Sequence, residues 1–266
     1  MGVVNVTPDS FSDGGQWFEP DAAISHARRL VADGAAVIDV GGESTRPGAA
    51  PVPEDEEIRR VVPVVEALAG QVRISVDTRK ENVARAAVRA GATLVNDVSA
   101  SLWAVAADLG VGWVAMHMKG EPRTMQTAPR YRNVVDEVAA YLEAHAEAAS
   151  VAGVAEIWVD PGFGFGKNAE HNLSLLHHLD RIVALGWPVV VGLSRKTTLG
   201  RLLAASDAGR RSPSETSSLD DLEPTPPDDR LEGSIATQVW AMQRGAAMIR
   251  AHDVRAAVQA AQVVAA

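Results

Sequence analysis

Short apolar runs alternate with amphipathic stretches along almost the whole chain. The runs predict eight β-strands, at residues 2–6, 35–40, 72–76, 93–95, 113–116, 157–159, 188–192 and 246–249. Most positions within each run are apolar, without the in-out alternation of a half-exposed strand. This pattern is typical of parallel strands that are covered on both faces.

Helical spacing of apolar residues follows most of these runs. It predicts helices at residues 22–31, 56–68, 81–90, 102–108, 134–152, 173–185 and 254–264. Right-handed β/α crossovers of this kind yield either a closed barrel or an open doubly wound sheet. Eight units favour the barrel. An open sheet also usually carries a G-x-G-x-x-G turn after its first strand, where this chain has Asn5-Val6-Thr7.

The sequence therefore predicts an α/β protein, a (β/α)8 TIM barrel that forms a single domain over residues 1–266.

One segment does not follow the alternation of predicted strands and helices. Residues 206–229 are rich in Ser, Asp and Pro and contain few apolar side chains. We interpret this segment as a flexible insertion after the seventh strand rather than a second domain.

Composition narrows the classes of function. The 266 residues are 47% hydrophobic and 22% charged, as in an ordinary globular protein, and the absence of cysteine excludes disulfides and zinc thiolates. The net charge of -9 argues against nucleic acid as a partner. No apolar run approaches the roughly 20 residues of a membrane span, and the N-terminus lacks the pattern of a signal peptide. We expect a cytoplasmic protein without membrane or nucleic-acid partners.

Polar residues follow the predicted strands at their carboxyl ends. In a barrel these ends meet at one rim, where such enzymes place their active sites. Carboxylate and amide groups at three strand ends suit a heterocycle with several N–H donors and ring acceptors; they are Asp77, Asn96 and Asp160. Cationic or anion-binding side chains on an acidic protein indicate a phosphate or pyrophosphate substrate; they are Arg46, Arg195, Lys196, Arg250 and His252.

Eight segments at these strand ends resemble, in order, the loop motifs of the dihydropteroate synthase family. They are NVTPDSFSDGG at 5–15, STRPG at 44–48, SVDT at 75–78, NDV at 96–98, MH at 116–117, DPGFGFGK at 160–167, SRK at 194–196 and RAHDV at 250–254. The resemblance covers nearly the whole chain, from Gly2 to the last helix. Each motif alone is weak, but eight in the family's order indicate membership.

The resemblance implies a transferase of folate biosynthesis. The family condenses 6-hydroxymethyl-7,8-dihydropterin pyrophosphate with p-aminobenzoate to give 7,8-dihydropteroate and pyrophosphate, and sulfonamides compete with p-aminobenzoate. It also implies Mg²⁺ as cofactor and a homodimer as the assembly. Oxygen ligands suit Mg²⁺, which is commonly held in part by the phosphates of the substrate.

The resemblance also implies a role for individual residues. The pterin site would contain Asp77, Asn96, Val98, Met116, Asp160, Lys196 and Arg250. The pyrophosphate would contact Asn5, Arg46 and His252, with Asn5 also binding Mg²⁺. The p-aminobenzoate pocket would contain Phe11, Thr45, Pro47, Phe165, Arg195, Lys196 and Thr197, and Asp13 would lie on the loop that closes over the site. The catalytic residues would be Asp77, Asp160, Lys196, Arg250 and Asn5.

The chain departs from the family's pattern in two loops. Ser99-Ala100-Ser101 stands where the family usually has glycines, and Thr197 stands where serine is common. Two other functions remain open. One is a domain that passes a methyl group from methyltetrahydrofolate to a corrinoid, which we do not expect to keep the motifs at 5–15 and 44–48. The other is a non-catalytic pterin-binding paralogue, which we expect to have lost a residue such as Asn5 or Arg46.

Overall fold

Eight parallel strands form the centre of the computed structural model, which describes residues 1–7, 20–44, 49–209 and 218–266. They are β1 (Gly2–Asn5), β2 (Val37–Gly41), β3 (Arg73–Asp77), β4 (Leu94–Asp97), β5 (Gly112–Met116), β6 (Ile157–Asp160), β7 (Val190–Val191) and β8 (Met248–Ile249). Each predicted apolar run overlaps one of these strands.

Helices follow every strand and surround them. They are α1 (Pro20–Ala32), α2 (Glu54–Leu68), α3 (Glu81–Ala90), α4 (Trp103–Leu109), α5 (Val134–Val151), α6 (Ala169–His177), α7 (Leu179–Val183), α8 (Thr197–Asp207), α9 (Leu231–Gln243) and α10 (Val254–Ala265). The main hydrophobic core lies between this outer layer and the sheet, with fully buried side chains such as Val65, Leu68, Leu142 and Ile182.

The sheet closes on itself. Strands β1 to β6 pair in sequence order, and β7 pairs with β8. Single bridges complete the circle, because Val159 pairs with Val189 and Gly2 pairs with Ala251. The Val3 amide donates to the Ala251 carbonyl at 3.2 Å across the second of these seams. The predicted (β/α)8 barrel is therefore confirmed.

Two helices were not evident from the apolar pattern, and one prediction merged two others. The single helix predicted at residues 173–185 is two, since α6 ends before His178 and α7 begins after it. Helix α9 buries Ser234 and Gln238 together with Ala241, so its inward face is mostly polar and gives no apolar period. Helix α8 contains Gly200 on its buried side, which weakens the pattern in the same way.

The described part of the segment predicted as a flexible insertion packs against the barrel. Residues 206 and 207 complete α8, and Leu219 is buried with Ala169 and Ala205. Asp220 accepts a hydrogen bond from Arg201 at 2.5 Å. Residues 210–217 lie outside the described residues. The flexibility of the segment as a whole stays a prediction.

Strand register brings the rim residues to one level. Asn5, Gly41, Asp77 and Asn96 are successive partners across β1 to β4. Side chains two residues apart on a strand share a face. The residue two positions earlier on each strand therefore also points into the barrel, one layer further from the carboxyl ends. The interior further down is filled by Leu94, Val114 and Val190, with Trp158 and Met248 against them. Because these side chains fill the barrel below, the cavity lies at the carboxyl ends of the strands.

Asp97, the neighbour of Asn96, supports the fold from the other face of β4. Its carboxylate is fully buried and accepts from the Leu102 amide at 2.6 Å, the Ser99 amide at 2.9 Å and the Trp113 indole N–H at 3.2 Å. Two amides of the loop between β4 and α4 and one indole on β5 therefore depend on one side chain to replace water.

We predict that Asp97→Ala lowers the free energy of unfolding by about 3 kcal/mol, because it leaves buried donors without an acceptor. Asp108→Ala on the neighbouring helix is the matched control. Its carboxylate is largely exposed and pairs with Arg85 at the surface, so we expect a loss below about 1 kcal/mol. Urea unfolding of both variants measures the difference. Equal losses would contradict the structural role of Asp97.

Candidate active site

A cavity of about 820 Å³ lies at the carboxyl end of the barrel. Every described residue that the sequence assigns to the site lines it: Asn5, Asp77, Asn96, Val98, Met116, Asp160, Phe165, Arg195, Lys196, Thr197, Arg250 and His252. The other assigned residues lie outside the described residues: Phe11, Asp13, Thr45, Arg46 and Pro47. One cavity thus collects side chains from six strand ends and from the loops that follow them.

A shared cation forms the floor of the cavity. Arg250 donates from Nε to Asp39 at 2.7 Å and from Nη2 to Asp77 at 2.9 Å. Asn96 donates to the same oxygen of Asp39 at 2.9 Å. The guanidinium is thereby held by two carboxylates, and Arg250 lines the cavity.

The charges of this floor affect one another. Burial raises the pKa of Asp77 to about 7, although Arg250 acts in the opposite direction. Burial alone would lower the pKa of Arg250, but the charges of Asp39 and Asp77 outweigh it and the net effect is a raised pKa. Arg250 therefore stays cationic, whereas Asp77 titrates near neutral pH.

Asp39 was missed by the sequence analysis. It is fully buried inside the barrel, and its second carboxylate oxygen has no hydrogen-bond partner among the described residues. The available signal was a single charged residue within the apolar run of β2, two residues before Gly41. Strand periodicity places both residues on the inward face.

A third carboxylate, that of Asp160, lines the cavity from β6. Asp160 accepts from the Gly162 amide at 2.7 Å, and burial raises its pKa while this hydrogen bond and the charge of Lys196 lower it. The Lys196 ammonium lies 4.3 Å from the centre of the Phe165 ring, within the range of a cation–π contact. Lysine, phenylalanine and aspartate therefore line one wall.

The turn that carries Arg195 and Lys196 is strained and externally held. Arg195 has a φ of 58°, in the left-handed region that side chains other than glycine rarely adopt. Its amide donates to Ser234 Oγ at 3.0 Å, and its carbonyl accepts from Arg230 Nη1 at 2.9 Å. Its own guanidinium makes two hydrogen bonds with Asp253, at 2.7 and 3.0 Å. Strain of this kind is common where function fixes a conformation.

Arg230, which directly precedes α9, contacts this turn by passing beside Gly200 of α8. Arg230 also donates from Nε to the Thr225 carbonyl at 2.7 Å. A Cβ at Gly200 would lie 2.5 Å from Arg230 Nε, so only glycine leaves room for the guanidinium there. Arg230 and Ser234 were not predicted as site residues, because their contacts are with backbone atoms and carry no sequence motif that we identified.

The loop between β5 and α5 forms the wall opposite this turn. Met125, Gln126, Ala128 and Pro129 line the cavity, and Gln126 Nε2 donates to the Gly164 carbonyl. The sequence analysis assigned none of these residues to the site. The one signal was the length of the stretch after His117 without helical spacing. Loops of this length in compact domains are often functional.

The donor set fits a metal ion that is held largely by its substrate. Among the described residues, no three His, Cys, Asp or Glu side chains lie close enough together to bind a metal ion. Asn5 offers one amide oxygen to the cavity from the end of β1. Mg²⁺ prefers oxygen ligands and usually takes several of them from phosphates and water. A single protein oxygen at the rim is compatible with that mode of binding.

Comparison with known proteins decides the family. The sequence profile described as pterin binding enzyme matches residues 1–252. The chain belongs to the pterin-binding enzyme family. A curated member, dihydropteroate synthase from Mycobacterium leprae, is 44% identical over 99% of this chain and 91% of its own length.

Two solved structures of the family superpose closely. Dihydropteroate synthase from Yersinia pestis, in complex with a sulfonamide drug, has a TM-score of 0.89 at 43% identity and covers 100% of this chain and 92% of its own. The Xanthomonas albilineans enzyme in complex with 7,8-dihydropteroate has a TM-score of 0.80 at 44% identity and covers 99% and 90%. The predicted family and the predicted function, a dihydropteroate synthase, are confirmed.

None of the described helices combines the length and apolar character that a transmembrane segment needs.

Proposed function

We propose that the protein joins p-aminobenzoate to 6-hydroxymethyl-7,8-dihydropterin pyrophosphate and releases 7,8-dihydropteroate and pyrophosphate. The observation that carries this proposal is the floor formed by Asp77, Asn96 and Arg250, with Asp160 and Lys196 beside it in one cavity. The size of the cavity supports it, because small-molecule sites are commonly about 300–1,000 Å³.

The pterin ring is proposed to lie on the floor. The carboxylates of Asp77 and Asp160 accept from ring N–H groups, and the Asn96 amide both donates and accepts. The Arg250 guanidinium, held by Asp39 and Asp77, stacks on the ring face. Lys196, Val98 and Met116 complete the pocket wall.

The reaction follows from this arrangement. The bond between the pterin methylene and the pyrophosphate oxygen breaks first, and the electron pair leaves with pyrophosphate. Asp77 and Asp160 stabilise the positive charge that remains on the pterin, because buried charges act strongly in a water-poor cavity. The nitrogen lone pair of p-aminobenzoate then forms the new C–N bond with the methylene carbon, and the proton that the amine loses passes to water. No protein nucleophile is required.

The pyrophosphate is proposed to leave past the rim. His252 lies there with its amide and Nδ1 both 3.2 Å from Ser194 Oγ, and Asn5 lies at the end of β1. Arg46, which belongs to this group by resemblance, lies outside the described residues. We propose Asn5 as the protein ligand of Mg²⁺. When bound, the ion supplies positive charge that neutralises the departing pyrophosphate.

The p-aminobenzoate is proposed to bind between Phe165 and the start of α8. Helix α8 begins at Thr197, so its positive end and the Lys196 ammonium face an approaching carboxylate. Phe165 offers a flat apolar wall to the ring. Arg195 shapes the same turn, although its guanidinium is directed to Asp253.

The decisive test is pyrophosphate release by the purified protein with Mg²⁺ and dihydropterin pyrophosphate, with and without p-aminobenzoate. Release that depends on p-aminobenzoate and matches the dihydropteroate formed supports the proposal. Chelation of Mg²⁺ should remove most of the activity, and readdition should restore it. Pterin binding without turnover would identify a non-catalytic paralogue, and methyl transfer from methyltetrahydrofolate would identify the corrinoid pathway.

Asp77→Asn should lower kcat/KM for dihydropterin pyrophosphate by about 10²–10³-fold, because it removes one preorganised charge from the transition state. In the wild type, kcat/KM should fall as the pH drops through about 7, where Asp77 becomes protonated. Because burial raises the pKa of Asp77 from its ordinary value of 3.8 to about 7, its contribution to stability is lost as the pH rises between these values. The variant should therefore be at least as thermostable as the wild type at pH 8. Wild-type activity in the variant would remove Asp77 from the mechanism.

We also propose a homodimer and a cytoplasmic location. Two of the large exposed apolar side chains, Leu231 and Trp240, lie on α9, on the outside of the barrel. A light-scattering mass of twice the 28.0 kDa chain supports the dimer, and a mass near that of one chain would reject it. The cytoplasmic location stays a prediction of the sequence.

A further inference from the structure

The glycine-rich loop of residues 160–167 lies directly against a neighbouring loop. Gly162 and Gly166 have φ values of 67° and 64°, which favour glycine. A Cβ at Gly162 would overlap the His117 carbonyl oxygen, and one at Gly166 would overlap the Lys119 carbonyl oxygen. The two backbones are therefore in contact without side chains between them. Hydrogen bonds with side chains help to hold this loop, as where the Gly164 amide donates to Asn172 Oδ1 at 2.8 Å.

Lys167 supplies such bonds from inside the loop. Its ammonium lies 2.9 Å from the Gly162 carbonyl oxygen and 3.0 Å from the Phe165 carbonyl oxygen. It also lies 2.9 Å from His117 Nδ1 and 3.3 Å from the His117 carbonyl oxygen. The side chain is only 2% exposed. One buried cation thus joins both ends of the Phe165 turn to the end of β5.

The partners of Lys167 are neutral, which is unusual for a buried ammonium. Burial lowers the pKa of Lys167 to about 7, and the charge of Asp160 acts against this shift. Burial also lowers the pKa of His117 to about 3, with Lys167 contributing, so the imidazole is a neutral acceptor. Among the described residues, neither side chain has an ion-pair partner that would explain a cation at this position.

We propose that Lys167 is a positioning residue whose ammonium holds residues 162–165 in the shape that presents Phe165 to the aromatic amine substrate. This inference rests on the proposed function. Phe165 lines the cavity and contacts the Lys196 ammonium, but it lies outside any strand or helix. Asp160, by contrast, belongs to β6 and is fixed by its ladder. Loss of the ammonium should therefore affect the p-aminobenzoate pocket more than the pterin floor.

The chain offers a clean test because it contains no cysteine. Lys167→Cys introduces one thiol, which can be alkylated in the unfolded protein before refolding. Reaction with 2-bromoethylamine restores an ammonium on a side chain of nearly lysine length. Reaction with 1-bromopropane gives a side chain of the same length without charge. The two proteins differ in the group that the proposal makes responsible.

We expect the propylated protein to have a KM for p-aminobenzoate at least about tenfold above wild type, because several carbonyls lose a charged donor. The KM for dihydropterin pyrophosphate should change less than about threefold. The aminoethylated protein should return to within about threefold of wild type for both substrates. As a control, Lys119→Met removes a nearby surface lysine whose ammonium bonds to the Arg130 carbonyl, and both KM values should stay near wild type.

Three results would overturn the proposal: equal kinetics of the two alkylated proteins, an equal rise of both KM values, or a propylated protein that fails to refold when the aminoethylated one succeeds. The last two would assign Lys167 to the stability of the whole site or fold. Pterin affinity of each protein, measured by calorimetry without p-aminobenzoate, separates these cases. An inactive wild type that binds pterin would reject the proposed function instead.

Discussion

The guanidinium of Arg250 is the interaction on which the site depends. It follows β8 but bonds to Asp39 on β2 and Asp77 on β3, so it exists only when the sheet has closed. Placing these charges inside the barrel costs desolvation energy, which the hydrogen bonds between them offset. Removing Arg250 would leave the carboxylates of Asp39 and Asp77 buried without their cation. The charge arrangement therefore depends on the closure of the barrel.

In the same arrangement, the residues that line the cavity differ from the residues that hold them in place. Asp77 and Asn96 face the cavity, whereas Asp39 lies beneath them and fixes Arg250 and Asn96 without reaching the cavity lining. A similar division occurs at the turn of Arg195, where Ser234 and Arg230 hold the backbone from α9. Preorganisation of this kind keeps the groups that contact substrate in place before it arrives.

The sequence predicted the strands well because each is buried on both faces and reads as an apolar run. It predicted site residues where a polar group ends such a run, as with Asp77 and Asp160. It did not predict α9, since the buried face of that helix contains Ser234 and Gln238. Asp39 was missed because it interrupts a run rather than ending it. Arg230 and Lys167 act mainly through backbone carbonyls, and such contacts depend on how distant loops meet in space.

The passage of Arg230 beside Gly200 limits how this site can change by mutation. Any side chain at position 200 would collide with the guanidinium that holds the strained Arg195 turn. A Cβ there would also lie 2.9 Å from Pro224 Cβ, so a larger residue needs changes at both neighbours. A smaller residue at position 230 would release the turn of Arg195. The effects of mutations at positions 200 and 230 therefore depend on each other. Variants that reshape this wall must carry their changes at other positions, or must pass through a protein in which the turn of Arg195 is no longer held.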